Sequence, residues 1–279
     1  MRSSNPVFTR SAEFNGQANV QTTPGYGQQY GDPSTWSTGT PAQQAPAPVR
    51  RMSIDSVVQA TAISLAVVLV TAFATWWYIG EIGATPSDET IGRLYMTLIV
   101  GSGGAFLLSL VNSFKRVISP ALVIAFAALE GVALGALSKF FDAQFGDGIV
   151  TGAMFGTFAA FAGTLAAYKV LDIKVGAKFR TFVVAGMFGM VGLGLMSLVL
   201  SLFGIQTPLF GFGTIGLLMS VAGLVLGVFM LILDFDFVEQ GIAAGLDERE
   251  SWRAAFGLTV SLVWIYTNLL RILAIFSQD

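Results

Sequence analysis

The chain lacks cysteine and histidine, and only 11% of its 279 residues are charged. Without cysteine it has no disulfide framework and no thiol nucleophile. Without histidine it has no Ser-His-Asp triad, no imidazole metal site and no histidine pH switch. We therefore expect neither enzyme activity nor a cofactor. Soluble domains carry about 25% charged residues, and a net charge of −2 does not attract nucleic acid. With 54% hydrophobic residues, the composition indicates an integral membrane protein whose surroundings are a lipid bilayer.

The N-terminal part has a different composition from the rest. Residues 1–52 are rich in Gln, Gly, Pro and Ser, with no long apolar run. Such a segment buries too little apolar surface to offset the entropy of ordering it. We predict a disordered cytoplasmic tail over residues 1–52, followed by a transmembrane domain over residues 53–279.

Seven apolar runs divide the rest of the chain. A membrane-spanning helix needs about 20 mostly apolar residues, and each run is long enough. Spanning β-strands would be shorter and would alternate in polarity, which these runs do not. The sequence therefore predicts an all-α bundle of seven transmembrane helices. We place the spans near residues 57–79, 92–113, 118–138, 148–168, 180–203, 212–237 and 255–276.

Lysine and arginine are distributed unevenly between the two sides of this topology. If the N-terminus lies inside, twelve basic residues fall on the inner side and three on the outer side. The inner ones are Arg2, Arg10, Arg50, Arg51, Lys115, Arg116, Lys169, Lys174, Lys178, Arg180, Arg249 and Arg253, and the outer ones are Arg93, Lys139 and Arg271. The positive-inside rule then predicts a multi-pass membrane protein with a cytoplasmic N-terminus and an outer C-terminus. Trp76, Trp77 and Tyr78 are expected to anchor the first span at the outer interface.

Several pairs of small residues are spaced by four within the spans. Small residues at this spacing let two helices approach closely, so the pairs predict helix packing rather than chemistry. A glycine cluster in the second span, Gly101, Gly103 and Gly104, is expected to loosen that helix locally. The pairs are Gly131 with Gly135, Gly152 with Gly156, Gly223 with Gly227, and Ala159 with Gly163.

Glu130 is a charged residue far inside a span. It lies about 18 Å from the inner end of the third span, near the midplane, where a charge costs about 2.5–3.5 kcal/mol. Such a carboxyl group faces a polar cavity, is protonated, or is paired. Glu130 is therefore either a neutral carboxyl group that hydrogen-bonds between packed helices, or part of an ion or proton path.

Asp234 and Asp236 stand at the predicted end of the sixth span, with Glu239 just beyond it. Residues two apart do not share a helix face, so the two aspartates are not expected to pair with each other, whereas Asp236 and Glu239 can share a face. One interpretation places all three acids at the water boundary. The other assigns Asp234, which follows a long apolar run, to the bundle interior.

The seventh span carries a polar stripe. Ser261, Trp264, Asn268 and Arg271 recur at spacings of three and four and therefore share a face. We expect Ser261 about 9 Å from the inner end, roughly one turn deeper than Asp234. Arg271 is expected near the outer end, where it snorkels rather than pairing with Asp234.

Three stretches resemble the Bax inhibitor-1 family, also called the transmembrane Bax inhibitor motif. They are the run Leu231–Asp236, the run Asn268–Leu273, and Glu130-Gly131 with Leu134-Gly135. The resemblance covers residues from about 50 to the end, and the opening Ser4–Phe8 resembles an actinobacterial-type branch. It implies a seven-helix bundle with a central last helix. It also implies a pH-dependent calcium leak, attributed to two aspartates in the sixth and seventh helices that share a proton.

The sequence departs from this family pattern in the seventh span. Aligning the Asn268–Arg271 run places the family's second aspartate at Ser261, which cannot share a carboxylate proton but can hydrogen-bond to Asp234 or Asp236. The alignment leaves open which aspartate is the gate. Glu130 and Asp234 are expected to differ by about 13 Å in depth and to act as successive stations.

We hypothesise a pH-sensitive calcium or cation leak in which Asp234, Asp236 and Glu130 contact the calcium ion, which is cargo rather than a cofactor. Ser261 completes the gate, and Glu239, Asn268 and Arg271 support it. The alternative is a non-conducting scaffold that modulates a membrane protease or another membrane protein in a stress response. A proton-coupled transporter fits less well, because no internal repeat is seen. An intramembrane hydrolase fits least.

Overall fold

A computed structural model describes residues 50–83, 85–146, 148–205 and 207–278. Residues 1–49 of the predicted tail lie outside the described residues. Within the described part the chain forms seven long α-helices, joined by short connections and one turn of 3₁₀ helix at Pro208–Phe210. The helices are α1 (Ile54–Ile79), α2 (Asp88–Phe114), α3 (Pro120–Phe145), α4 (Ile149–Val170), α5 (Ala177–Leu202), α6 (Thr214–Ala243) and α7 (Glu250–Phe276).

The helix ends carry the local chemistry that starts and stops a helix. Ser53 caps α1 in a capping box with Ser56, and Gly80, with φ +79°, ends it. Ser87 accepts a hydrogen bond from the Thr90 amide at the start of α2. Pro120 occupies the first turn of α3, where its missing N–H is not needed.

All seven helices are long and apolar enough to cross a membrane, which confirms the predicted number of spans. Two of them extend well beyond the predicted boundaries. Helix α3 continues to Phe145 rather than 138, and α6 continues to Ala243 rather than 237. The apolar runs end earlier than the helices because a helix can continue past the hydrocarbon into water, where polar residues such as Gln144 and Glu239 are exposed.

The interior is shared between α3 and α7. Helix α3 packs against α1, α2, α4 and α7, and α7 packs against α1, α3, α4 and α6. Helix α5 lies at the periphery, where it contacts α6 and the 3₁₀ turn. The central last helix expected from the resemblance therefore remains a prediction, because α3 is as deeply embedded as α7.

Close helix packing depends on some of the predicted small-residue pairs. A Cβ on Gly131 would overlap the Val68 carbonyl oxygen and Thr71 Oγ1, and a Cβ on Gly135 would overlap the Ala72 carbonyl. The other glycine pairs, at 152 and 156 and at 223 and 227, face side chains of α7.

Two expectations about small residues are wrong. A Cβ on Gly163 would meet open space, so the Ala159 and Gly163 pair does not form a contact strip. Helix α2 runs without a break through its glycine cluster, because Gly101 packs against Ala133 of α3 and that contact stabilises the helix there.

Contacts between connections define the two ends of the bundle. The Met52 amide donates to the Leu246 carbonyl at 2.8 Å, which ties the start of α1 to the α6–α7 connection. Arg253 of α7 donates to the Arg116 carbonyl of the α2–α3 connection at 2.9 Å. We call this the basic end. At the opposite end, Lys139 lies over the Trp76 ring, 4.5 Å from its centroid, while Trp77 is 81% exposed toward the lipid.

Candidate functional site

Asp234 of α6 and Ser261 of α7 meet inside the bundle. The Ser261 hydroxyl donates to Asp234 Oδ2 at 2.5 Å, and Ser261 is fully buried. One turn earlier on α7, a Cβ on Gly257 would lie 2.8 Å from Asp234 Oδ1, so the glycine makes room for the carboxylate. The sequence alignment left either Asp234 or Asp236 as the partner of Ser261, and the structure pairs Ser261 with Asp234. Sequence reasoning missed Gly257, whose spacing of four from Ser261 was the available signal.

The relative depth expected for Asp234 and Ser261 is wrong. Asp234 lies nine residues before the end of α6 at Ala243, about 14 Å by helix rise. Ser261 lies eleven residues after the start of α7 at Glu250, about 16 Å by helix rise. Their hydrogen bond places the two residues at one level of the bundle, rather than one turn apart.

Glu130 lies at nearly the same level. One turn before it, Phe126 packs edge-to-face on Phe256 of α7 with ring centroids 4.9 Å apart. Two turns after it, the Ser138 and Tyr266 hydroxyls are 2.6 Å apart. Glu130 therefore lies beside the part of α7 that contains Ser261. The expected 13 Å offset from Asp234 is wrong, because contacts with α7 place both acids near the level of Ser261. We call Glu130, Asp234 and Ser261 the mid-depth layer.

Asp236 points toward a different helix from Asp234. Its Oδ2 accepts from Arg180 of α5 at 2.9 Å and from Gln240 Nε2 at 2.8 Å. The Asp236 side chain is 9% exposed and that of Arg180 is 54% exposed. On the same side of α6, Glu239 accepts from the Tyr168 hydroxyl of α4 at 2.7 Å. Sequence reasoning missed Arg180 and Tyr168 as partners, because no short-range pattern links residues 56 or 71 positions apart.

The polar stripe of α7 faces α6 along its length. Above Ser261, the Trp264 indole donates to the Gly223 carbonyl at 2.8 Å, and the Asn268 side chain, 6% exposed, donates to the Trp264 carbonyl. Arg271 lies 5.2 Å from the Phe210 ring centroid, in the turn before α6. Ten residues separate Arg271 from Ser261, about 15 Å. Asn268 and Arg271 therefore belong to the opposite half of the bundle and do not touch the mid-depth layer.

The acids do not converge on one point. Among the described residues, no three acidic side chains are placed to share a metal ion. Asp234, Asp236 and Glu130 stay the predicted calcium contacts, but the geometry separates them: one faces Ser261, one is paired with Arg180, and one projects from α3. A cation that passed them would meet them singly.

The ion pair between Arg180 and Asp236 is open to a direct test. We expect Arg180→Gln to lower the free energy of unfolding by about 1–2 kcal/mol, because it leaves a nearly buried carboxylate with the Gln240 amide, while the exposure of Arg180 keeps the cost below that of a fully buried pair. Adding Asp236→Asn should recover most of the loss. Lys178→Gln, an exposed change on the same turn, is the control. Denaturant unfolding in detergent measures the parent, the control, both single variants including Asp236→Asn, and the double variant, and an additive double variant would contradict the coupling.

Comparison with known proteins gives the family. An uncharacterized protein of Chlamydia muridarum (strain MoPn / Nigg) is 28% identical over 158 residues, which are 55% of this chain and 63% of that relative. The alignment thus spans less than two thirds of that relative's length. The family model described as Bax inhibitor 1 like matches residues 5–278, which include all seven helices. The chain therefore belongs to the Bax inhibitor 1 like family of multi-pass membrane proteins.

Proposed function

We propose that this protein is a proton-sensitive cation leak, with calcium as the cargo and the mid-depth layer as its gate. The observation that carries the proposal is the contact between Asp234 and Ser261 at 2.5 Å, about 15 Å inside the bundle. An acidic residue at that depth costs free energy, and a hydroxyl and a nearby glycine accommodate it rather than an opposite charge. A hard cation such as calcium is bound by oxygen atoms of this kind.

In this proposal, three acids of α6 offer oxygen ligands at increasing depth from the basic end, and each of them faces a different helix. Glu239 is exposed, Asp236 lies one turn deeper beside Arg180, and Asp234 follows at the layer. Arg180 acts as a latch in this proposal, because an entering cation must displace its guanidinium from Asp236. In this proposal, protons and cations compete for the Asp234 carboxylate, which is the proton-sensitive group of the gate.

Several finer features are part of the proposal. The family resemblance supports a pH-dependent calcium leak through a bundle closed by the last helix. The excess of basic residues at one end supports a cytoplasmic N-terminus and an outer C-terminus, and the family resemblance supports insertion in a bacterial plasma membrane. The Ser4–Phe8 opening, outside the described residues, supports an actinobacterial-type branch.

Calcium flux into proteoliposomes tests the proposal. We expect flux that changes between about pH 5 and pH 8, the range over which a buried carboxyl group can titrate. Asp234→Asn with Asp236→Asn should abolish both the flux and its pH dependence. Asp172→Asn, at an exposed residue paired with Lys174 outside the helices, is the matched control. If the double variant conducted calcium as the parent does at every pH, the proposal would be wrong.

A non-conducting scaffold is the second candidate, and one surface favours it. A cavity of about 490 Å³ at the basic end is lined by residues of both charges, including Arg50, Asp247 and Arg249, together with Trp252. Such a mixed surface suits a membrane protease or another stress-response partner. This candidate predicts that purified protein conducts nothing, and that deleting residues 1–48 changes the proteins recovered by cross-linking.

A further inference from the structure

Helix α5 is the least buried of the seven long helices in the described part of the chain. Two of its 26 residues are buried, Val183 and Met190, whereas α3, which has the same length, buries ten. Among the described elements, α5 packs against α6 and the 3₁₀ turn at Pro208–Phe210 and against no other helix. A helix with so few buried contacts is one of the elements that open at the lowest free energy.

Two side-chain contacts join the first turn of α5 to α6. Arg180 forms its ion pair with Asp236 at 2.9 Å, and Phe179 meets Phe229 edge-on with ring centroids 5.3 Å apart. Lipid chains can replace the apolar ring contact at little cost. The nearly buried Asp236 carboxylate has no such substitute, because a charge there is costly without its partner. The ion pair is therefore the contact that matters most for keeping this end of α5 in place.

The side of α5 that faces α4 is open. The two helices do not pack against each other within the described residues. On α6, Phe235 contacts Phe161 of α4, whereas Asp236 faces α5. By helix geometry Val221 and Val225 lie between these two directions, and they are 43% and 46% exposed. The space beside α5 is thus open to lipid chains, which yield to a moving helix.

The connections at the two ends of α5 differ. At the basic end, Ile173 packs against the interior, and the chain then reaches α5 through residues 174–176, which can extend over about 10 Å. At the opposite end, the Ser197 hydroxyl contacts that of Thr207, immediately before the 3₁₀ turn. Gly204, with φ +77°, turns the chain between them. The opposite end is therefore fixed near the turn, while the basic end has slack.

We propose that α5 is a lid that swings about its connection to the 3₁₀ turn, and that the ion pair between Arg180 and Asp236 keeps its basic end closed on α6. When the pair separates, the start of α5 moves away from α6, and the Asp236 carboxylate becomes accessible from the basic end. Closed and open forms are two conformations in equilibrium, and whatever competes with Arg180 for Asp236 favours the open form. The movement itself is independent of conduction, and only its use to admit a cation rests on the proposed function.

Distances between pairs of spin labels test the lid. The chain has no cysteine, so two introduced cysteines are the only labelling sites. Lys115→Cys with Lys178→Cys, at two exposed residues of the basic end, follows the start of α5 in protein reconstituted in bilayers. We expect Arg180→Gln, and separately Asp236→Asn, to populate a second, shifted distance about tenfold more than the parent does, as a loss near 1.4 kcal/mol gives. Unchanged distances in both variants overturn the proposal.

Two further label pairs locate the pivot. Lys115→Cys with Lys169→Cys follows the end of α4 and should not change in either variant. Leu202→Cys with Phe276→Cys, at residues that are 78% and 61% exposed, follows the opposite end of α5 and should also stay constant. If either pair shifted as much as the pair at the start of α5, the whole bundle would have loosened, and the lid would be wrong.

Asp172→Asn is the matched charge control. It removes the ion pair with Lys174 in the connection before α5, and it leaves the contact between Arg180 and Asp236 in place. All three label distances should equal those of the parent. A shift at the start of α5 as large as that of Arg180→Gln would show that any lost charge frees the helix, and would contradict the role of the ion pair. None of these distances depends on ion conduction, so the lid is decided separately from the proposed function.

Discussion

We expect Gly135→Ala and Gly131→Ala each to lower the free energy of unfolding by about 1–3 kcal/mol or more, since 1–3 kcal/mol is the usual cost of overpacking a tight site. The added methyl group would overlap backbone atoms of α1, the Ala72 carbonyl at position 135 and the Val68 carbonyl at position 131. A backbone atom cannot rotate away as a side chain can, so α1 and α3 must separate. Because these two helices share the most extensive helix contact among the described residues, their separation affects the whole domain. Thermal unfolding in detergent, followed by far-UV circular dichroism, measures the loss.

Gly163→Ala is the matched control for these variants. Gly163 also lies inside a transmembrane helix, and an added Cβ there meets open space. Alanine favours helix over glycine by about 1 kcal/mol, so this variant should be as stable as the parent or slightly more stable. Equal stability of all three variants would contradict the close approach of α1 and α3.

We expect Ser261→Asp to change the pH dependence of the proposed gate more than any other single substitution. It places a second carboxyl group where the hydroxyl now donates to Asp234 at 2.5 Å. Two carboxylates in contact cannot both carry a charge, so they take up and release a proton as a unit. This restores the two-aspartate arrangement attributed to the family. The ratio of calcium flux between about pH 8 and pH 5 should then differ from that of the parent by about tenfold or more.

Ser261→Asn is the control for this experiment. It has nearly the size of aspartate and can donate to Asp234, but it does not titrate. Its flux should depend on pH as the parent's does. If Ser261→Asp and Ser261→Asn gave the same pH profile of calcium flux, the proton-sharing role of this position would be wrong. Circular dichroism of both variants separates a change in gating from a loss of fold.

Much of the site follows from sequence patterns. The parts that could not be predicted are contacts between residues far apart in the chain. The polar stripe of α7 follows from spacings of three and four, and the alignment selected Ser261 before its partner was known. The Arg180 latch and the Tyr168 contact with Glu239 could not be predicted, because each joins helices whose order in space the sequence does not encode locally. The same holds for Gly163, which has the spacing of a packing residue but faces no helix.

The apolar runs of the sequence determined that this protein is a bundle of seven membrane-spanning helices, because a bilayer requires about 20 apolar residues per span and leaves the backbone few other forms. The relative depth of the acids was decided only by the tertiary structure, because it depends on contacts between helices that no local pattern encodes. The hydrogen bond from Ser261 holds Asp234 at its level, and the contacts of α3 with α7 place Glu130 beside the same part of α7. Packing also leaves α1 and α4 apart, and this gap forms a lateral groove.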